Sequence, residues 1–513
     1  MAFLTVFISL LLVFECFSSA VKISLSNGAV NTTNGFIIGH AARNRSDVVE
    51  YLGIPYAQPP LGQLRFDAPH PYNQTGTYNA SNYSSGCPFT PPQPFAYPNA
   101  TPQEPRILSA FNTANGQSIG EDCLTLNIWA KAESDRKRPV LVFFYGGKFD
   151  FGGTNTPFYN GQYLASAQDV LVVTLNYRTN IFGFSGAPGL PPNVGLLDQR
   201  LAVEWIRDNI ASFGGNSSSI TLFGQSAGSA AVDFWAYAYP DDPIAHALIS
   251  QSGVATSFPL NSAAVAQAHW YNASAALGCG DSGDVLPCVR SKNWTEVEAA
   301  GHAVAGVPPP IPGRSEPPFQ PSPDGVLVFD DYPERSAKGQ FAKLPYLAGN
   351  NNYEAAYYEI VAYGAGTILT AAQWDTFILD VFTCPTGSEM RNRTSAGVPA
   401  WRFRYFGDWD NLRLFPGSGA YHGSDLEMVF GASQDVTGLP ESAPEMQMQR
   451  LFMKAWATFA EDPVNGLVDV LGWPKYNPNG STLIRLGYNN TPTAEFVHPM
   501  LYDSPCASLN QTS

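Results

Sequence analysis

An α/β fold built on a large, mostly parallel central sheet, with helices on both faces and long loop insertions, is what this 513-residue sequence predicts. Three observations predict it. Short β-branched and aromatic runs recur along the chain, Gly, Pro or Asn bound them, and amphipathic stretches at helical spacing lie between them. The strand candidates are residues 140–145 (VLVFFY), 170–176 (VLVVTLN), 220–223 (ITLF) and 344–348 (LPYLA). Continuous apolar runs of this length suit strands buried on both faces. Residues 196–209 predict a helix with Leu197, Leu201, Val203, Trp205 and Ile206 mostly on one face, and residues 445–461 predict a late covering helix through Leu451, Phe452, Ala455, Trp456 and Phe459.

Composition sets the frame for these elements. Hydrophobic residues make up 44% of the chain and charged residues only 14%, enough apolar material for a large core and too little charge for a disordered chain. No linker, charge block or internal repeat divides it, so residues 21–513 read as a single domain. The 46 glycines and 42 prolines fit long loops between the elements. A net charge of −15 opposes nucleic acid and anionic membrane surfaces, and otherwise reads as a solvated acidic exterior.

Residues 1–20 (MAFLTVFISLLLVFECFSSA) form an apolar run ending in small residues, the pattern of a cleaved secretory leader. Glu15 interrupts the run below spanning length, and no later stretch predicts an integral membrane anchor. Removing the leader takes away Cys16 and leaves Cys87, Cys123, Cys279, Cys288, Cys384 and Cys506. An even count suits disulfides in an oxidising compartment, while leaving every pairing open. None of the six has the spacing or the neighbouring histidines of a metal site. Asn-x-Ser/Thr acceptors run from Asn31 through Asn216 and Asn293 to Asn510, which fits a secreted, extracellular glycoprotein.

The chemical signal is Gly224-Gln225-Ser226-Ala227-Gly228, a G-x-S-x-G placed between the ITLF strand and a helical stretch. A sharp strand-to-helix turn raises a serine hydroxyl above the sheet, and glycines two residues to either side let strand and helix pass without Cβ collisions. Alone, the motif is often an ordinary loop. Here the VLVFFY strand, about 80 residues earlier, ends in Gly146-Gly147-Lys148, where backbone amides can turn toward a ligand and complete an oxyanion hole.

In this arrangement the chain order is Ser, then an acid, then His. His40 and His70 precede Ser226, His246 and His269 follow it too closely, and His302 precedes the best acid. His422, in a Gly-bordered loop, is therefore preferred over His498, which reads as structural. For the acid, the LPYLA strand runs into Asn351-Asn352-Tyr353-Glu354, and Glu354 is chosen over Glu359, read as a surface charge.

The chain resembles the type-B carboxylesterase/lipase family, which includes cholinesterases and fungal esterases and lipases. The resemblance is carried by residues 51–57 (YLGIPYA), 59–62 (PPLG), 121–127 (EDCLTLN), 176–178 (NYR), 193–200 (NVGLLDQR) and the elbow, and it extends over almost the whole chain beyond the leader. It implies an α/β-hydrolase fold, a Ser226–Glu354–His422 triad and oxyanion donors at the amides of Gly147, Lys148 and Ala227. It also implies disulfides joining Cys87 to Cys123, Cys279 to Cys288 and Cys384 to Cys506, with no metal or organic cofactor. Lys148 stands where the family often has a third glycine, Gln225 where it commonly has Glu, and Tyr353 and Ala355 flank the acid in place of Asp and Gly.

In related lipases the loop closed by the first disulfide is a mobile lid. Here its prolines predict an irregular flap with room for a short helix over residues 106–114, and ordinary loop packing is an equal reading. The loop lacks Trp, which argues against choline esters. The expected substrate is a small-molecule or lipid ester. The competing class is a non-catalytic cholinesterase-like adhesion protein, set against which all three triad positions are filled.

Overall fold

The computed structural model describes residues 23–25, 28–306, 308, 314 and 316–509. The leader lies outside the described residues. Eleven strands form one sheet: β1 (His40–Ala41), β2 (Val48–Pro55), β3 (Thr125–Lys131), β4 (Arg138–Phe144), β5 (Leu171–Leu175), β6 (Gly215–Gln225), β7 (Ala247–Gln251), β8 (Tyr346–Asn351), β9 (Ala400–Tyr405), β10 (Leu483–Leu486) and β11 (Ala494–Val497). Their spatial order is β11-β10-β9-β8-β7-β6-β4-β5-β3-β2-β1. From β5 to β10 every pairing is parallel, and antiparallel strands close both edges.

The helices that bear on the site and its support are α1 (Glu104–Phe111), α2 (Val194–Asn209), α3 (Ala227–Ala238), α4 (Ala355–Gly364), α5 (Ser424–Phe430) and α6 (Ala443–Glu461). Every residue of β4, β5, β7, β8 and β9 is buried, which fits the apolar runs of β4 and β5, while β9 carries Arg402 and Arg404 inward as well. The LPYLA strand starts two residues later than its sequence suggests. Pro345 has no N–H to give a ladder, and only its carbonyl is used, accepting from Leu248 N at 3.0 Å.

The apolar face of α2 is rotated from the expected one. Leu197 and Leu201 are only half-buried, whereas Leu196 and Asp198 are buried. Asp198 turns inward because it receives a fork from Arg178, Nη2 to Oδ1 at 2.7 Å and Nε to Oδ2 at 2.9 Å. On α6 the expected Phe452, Ala455, Trp456 and Phe459 are buried, Leu451 is half-buried, and Ser442 and Glu445 form a capping box.

Sequence order and spatial order part company at β4. From it the chain steps outward to β5, then crosses back to place β6 on its other side. Loops leaving the carboxyl ends of β4 and β6 therefore diverge and leave a crevice between them, the position where open parallel sheets hold ligands. Gly146 follows one end and Ser226 the other.

Candidate active site

Ser226 joins β6 directly to α3 with φ 58° and ψ −124°, a left-handed conformation that a side chain adopts only under strain. The surrounding contacts explain why the turn holds. A Cβ on Gly224 would collide with the Gly228 backbone, and one on Gly228 with the Phe144 carbonyl oxygen, so glycine is required at both places. Ser226 N donates to Gln251 O at 2.9 Å, tying the bend to β7.

Across the crevice, Gly146 packs so closely that an added Cβ would lie 2.8 Å from the Ser226 Cβ. Gly147 (φ 104°), Lys148 (φ 58°) and Phe149 (φ 60°) follow in left-handed conformations, and Asp150 N and Phe151 N both donate to Gly147 O. Gly147 and Lys148 line the same small chamber as Ser226 and His422. Ala227 opens α3, where first-turn amides have no acceptor within the helix. Lys148 stands at the chamber wall, where a glycine would carry no side chain. Burial, with Arg314 nearby, pushes its ammonium down to about 8.

His422 Nδ1 lies 2.6 Å from Glu354 Oε2, and both side chains are buried. Glu354 Oε1 accepts from Asn351 N at 2.6 Å and from Ser252 Oγ at 2.7 Å. An ionised carboxylate so supplied with donors fixes the imidazole with its proton on Nδ1 and its lone pair on Nε2. Aromatic rings close the remaining sides: Tyr358 and Phe382 at 5.1 Å, Tyr357 at 6.3 Å and Phe111 at 6.4 Å between centroids. His422 Nε2 stands 3.1 Å from Gln225 Nε2, and among the described residues no hydrogen bond links it to Ser226 Oγ.

A further layer supports Glu354. Asp425 accepts from Gln251 Nε2 at 2.6 Å and from Asn351 Nδ2 at 3.0 Å, while Trp456 of α6 donates to Gln251 Oε1 at 3.2 Å. Burial pushes the Asp425 carboxyl up to about 6. Ser252, Asn351, Tyr358, Phe382 and Asp425 carry no motif, and sequence reasoning does not single them out. Two other expectations are settled by contacts. Glu359 is not a free surface charge: it is half-buried and accepts from Tyr97 at 3.1 Å and from Tyr353. His498 is exposed, and its Nδ1 accepts from Met500 N at 3.2 Å.

The disulfides are Cys87–Cys123, Cys279–Cys288 and Cys384–Cys506. The first closes the loop that contains α1, a helix beginning two residues earlier than the stretch expected at 106–114 and ending at Phe111 against His422. Among the described residues no helix is long and apolar enough to cross a membrane.

The sequence matches the model of the Carboxylesterase family over residues 26–375 and 374–503. The chain belongs to that family. It is accordingly a carboxylic ester hydrolase on the α/β-hydrolase fold. It is similar to a chlorogenic acid esterase of Aspergillus niger, 33% identical over 86% of this chain and 83% of the relative. It is also similar to secreted lipase 5 of Gibberella zeae, 32% identical over 93% of both chains, and to an acetylcholinesterase of Bungarus fasciatus, 29% identical over 96% of this chain and 86% of the relative.

Proposed function

We propose that this carboxylesterase is a secreted serine esterase or lipase working through Ser226, His422 and Glu354 by way of an acyl-enzyme, with residues 21–513 as its mature single domain. The observation that carries the reading is the buried 2.6 Å contact between His422 Nδ1 and Glu354, made at the wall of the chamber that also holds the strained Ser226. Strain in a buried turn and a carboxylate-held imidazole have no structural use together, and both serve a nucleophile and its base.

His422 Nε2 takes the Ser226 proton as Oγ attacks the ester carbonyl. The amides of Gly147, Lys148 and Ala227 hold the oxyanion, each worth on the order of 3 kcal/mol in the transition state. Glu354 keeps the ring in the productive tautomer and stabilises the imidazolium. The imidazolium then protonates the departing alcohol, and water repeats the sequence on the acyl-enzyme to release the acid. Support for secretion comes from the apolar leader, the three disulfides and a relative named as a secreted lipase.

An organophosphonate probe tests the triad. The expected result is a single covalent adduct on Ser226, absent from Ser226→Ala, together with loss of nitrophenyl ester hydrolysis in that variant. An adduct elsewhere, or activity retained by Ser226→Ala, overturns the reading.

A further inference from the structure

Away from the crevice, three short strands, Ala29–Thr32, Gly35–Ile38 and Gly76–Asn79, form a small separate sheet with Gly35–Ile38 in the centre. Side chains alternate between its two faces. One face packs on the body: Val30 and Ile37, cross-strand partners, are buried, and Tyr78 beside them donates from Oη to Gly53 O at 2.7 Å. The other face is open, and its centre is apolar, with Phe36 56% exposed and Ile38 37%. An exposed apolar pair on a sheet whose outer strands are both edges invites association between copies unless something shields it.

The neighbours of that pair carry the means of shielding it. Asn31 stands directly opposite Phe36 on one flanking strand, and Asn79 is paired with Ile38 on the other. Both are exposed, both share the open face, and each begins an acceptor triplet, Asn31-Thr32-Thr33 and Asn79-Ala80-Ser81. Directly opposed residues of an antiparallel pair have Cβ atoms about 5 Å apart. A sugar on Asn31 therefore starts beside the Phe36 ring, and one on Asn79 approaches Ile38 from the other side.

Chemistry at the two asparagines agrees. Ser81 Oγ donates to Asn79 Oδ1, the atom that takes no sugar. By contrast, asparagines in two other triplets commit the sugar-bearing atom within the fold: Asn44 Nδ2 donates to Tyr163 Oη at 2.8 Å, and Asn392 Nδ2 to Ser336 Oγ at 3.0 Å. The C–H bonds of a pyranose are slightly positive, and the aromatic face they would meet is slightly negative.

We propose that Asn31 and Asn79 each carry an N-linked glycan whose first N-acetylglucosamine shields Phe36 and Ile38. In the modification, Nδ2 loses one proton and bonds to the anomeric carbon of an oligosaccharide, while the bond from that carbon to a lipid-linked diphosphate breaks and the diphosphate leaves. The inference rests on the secretory reading of the leader, because the transfer belongs to that route.

The test expresses the full chain, leader included, in a secreting fungal host. Enzyme from the medium is treated with peptide-N-glycosidase F in heavy-oxygen water, which leaves a labelled aspartate wherever a glycan was held, and its peptides are read by mass spectrometry. Labels are expected at both 31 and 79. Labels at other acceptors, with only one or neither of these, overturn the proposal. Shielding is read from the binding of a hydrophobic fluorescent dye. Endoglycosidase H leaves one sugar on each asparagine and should leave dye binding unchanged, whereas peptide-N-glycosidase F removes that sugar and should raise dye binding and self-association. Asn31→Gln with Asn79→Gln should reproduce the rise, and adding Phe36→Ser and Ile38→Ser should abolish it. Nitrophenyl acetate hydrolysis reports whether each variant has folded, and the two enzyme treatments decide the matter if one has not. An equal response to both treatments, or a rise that survives the serine substitutions, overturns the shielding. A chain that stays out of the medium with no acceptor labelled instead overturns the secretory reading, and the glycans with it.

Discussion

Gln225 Nε2 stands 3.1 Å from His422 Nε2, so the residue before the serine, and not the serine itself, is the hydrogen-bond partner of the imidazole lone pair in the resting enzyme. The other atom of that amide, Gln225 Oε1, is buried without a partner. Turning the amide over would exchange the two, offering a donor to neutral imidazole or an acceptor to imidazolium. The side chain is thus suited to both protonation states of His422 without adding charge to either.

A carboxylate at this position would favour the charged ring alone. In Gln225→Glu, the acidic limb of the kcat/KM profile should therefore move to higher pH, by about one unit for an opposite charge at this separation. As the proposed base, His422 would work only when neutral, and stabilising its cation would keep it protonated to higher pH, which sets the sign. Measured on a soluble nitrophenyl ester, a limb that does not move, or moves to lower pH, refutes the argument.

In the proposed triad, Ser252 would act on His422 through Glu354. Its Oγ donates to Glu354 Oε1 at 2.7 Å, while Asn351 N holds the same oxygen at 2.6 Å. Ser252→Ala removes one of two donors, leaving the carboxylate tethered but freer to turn. We expect kcat to fall about five- to ten-fold with KM little changed, because the lost interaction matters as the imidazolium forms. Steady-state kinetics on a short-chain ester decide it. A loss of melting temperature with kcat preserved would make Ser252 merely structural.

The difference between Ser226 and Ser252 shows what a sequence can disclose. The elbow is legible because its sterics are local: glycines two residues either side of a serine are needed by the turn itself, and the strand before it is close in the chain. The parallel sheet is legible in part for a similar reason, since β4 and β5, buried on both faces, are largely apolar, whereas the buried Arg402 and Arg404 disguise β9. Ser252 reaches Glu354 across 102 residues, and Phe382 meets the His422 ring from a separate segment, so neither leaves a periodic or spaced signal. The buried face of α2 is hidden because Asp198 counts as polar in any periodicity, yet its fork with Arg178 carries it inside. Glu359 is obscured likewise, its partners Tyr97 and Tyr353 being brought to it by folding.

Asp425 makes stability depend on pH in the acid range. Burial raises its carboxyl to about 6 in the folded chain from an ordinary 3.8. Between those values the folded state holds the proton more tightly than the unfolded one, so this group's contribution is full below about pH 4 and is lost as pH rises through about 6. Asp425→Asn removes that titration. The unfolding free energy of the unaltered protein minus that of the variant should decline by about 3 kcal/mol from pH 4 to pH 7. A difference that is flat, or that grows with pH, contradicts the assignment of the burial cost to Asp425.

The disulfides differ in how much chain they close, and their removal should differ accordingly. Cys384–Cys506 spans 122 residues, whereas Cys279–Cys288 spans 9. If each acts mainly by restricting the unfolded chain, loop-closure entropy assigns about 5 kcal/mol to the first and about 3 kcal/mol to the second. The long bridge also has a position the short one lacks. Cys384 opens the helix directly after Phe382 and Thr383, and Thr383 O accepts from Arg402, which forks to Asp503 near Cys506. Replacing Cys384 and Cys506 by alanine should therefore lower stability more than replacing Cys279 and Cys288, and should also reduce kcat, because Phe382 packs on the His422 ring. Chemical denaturation beside ester kinetics checks both parts. Equal losses of stability would show that native contacts outweigh chain entropy, and an unchanged kcat would separate the bridge from the base.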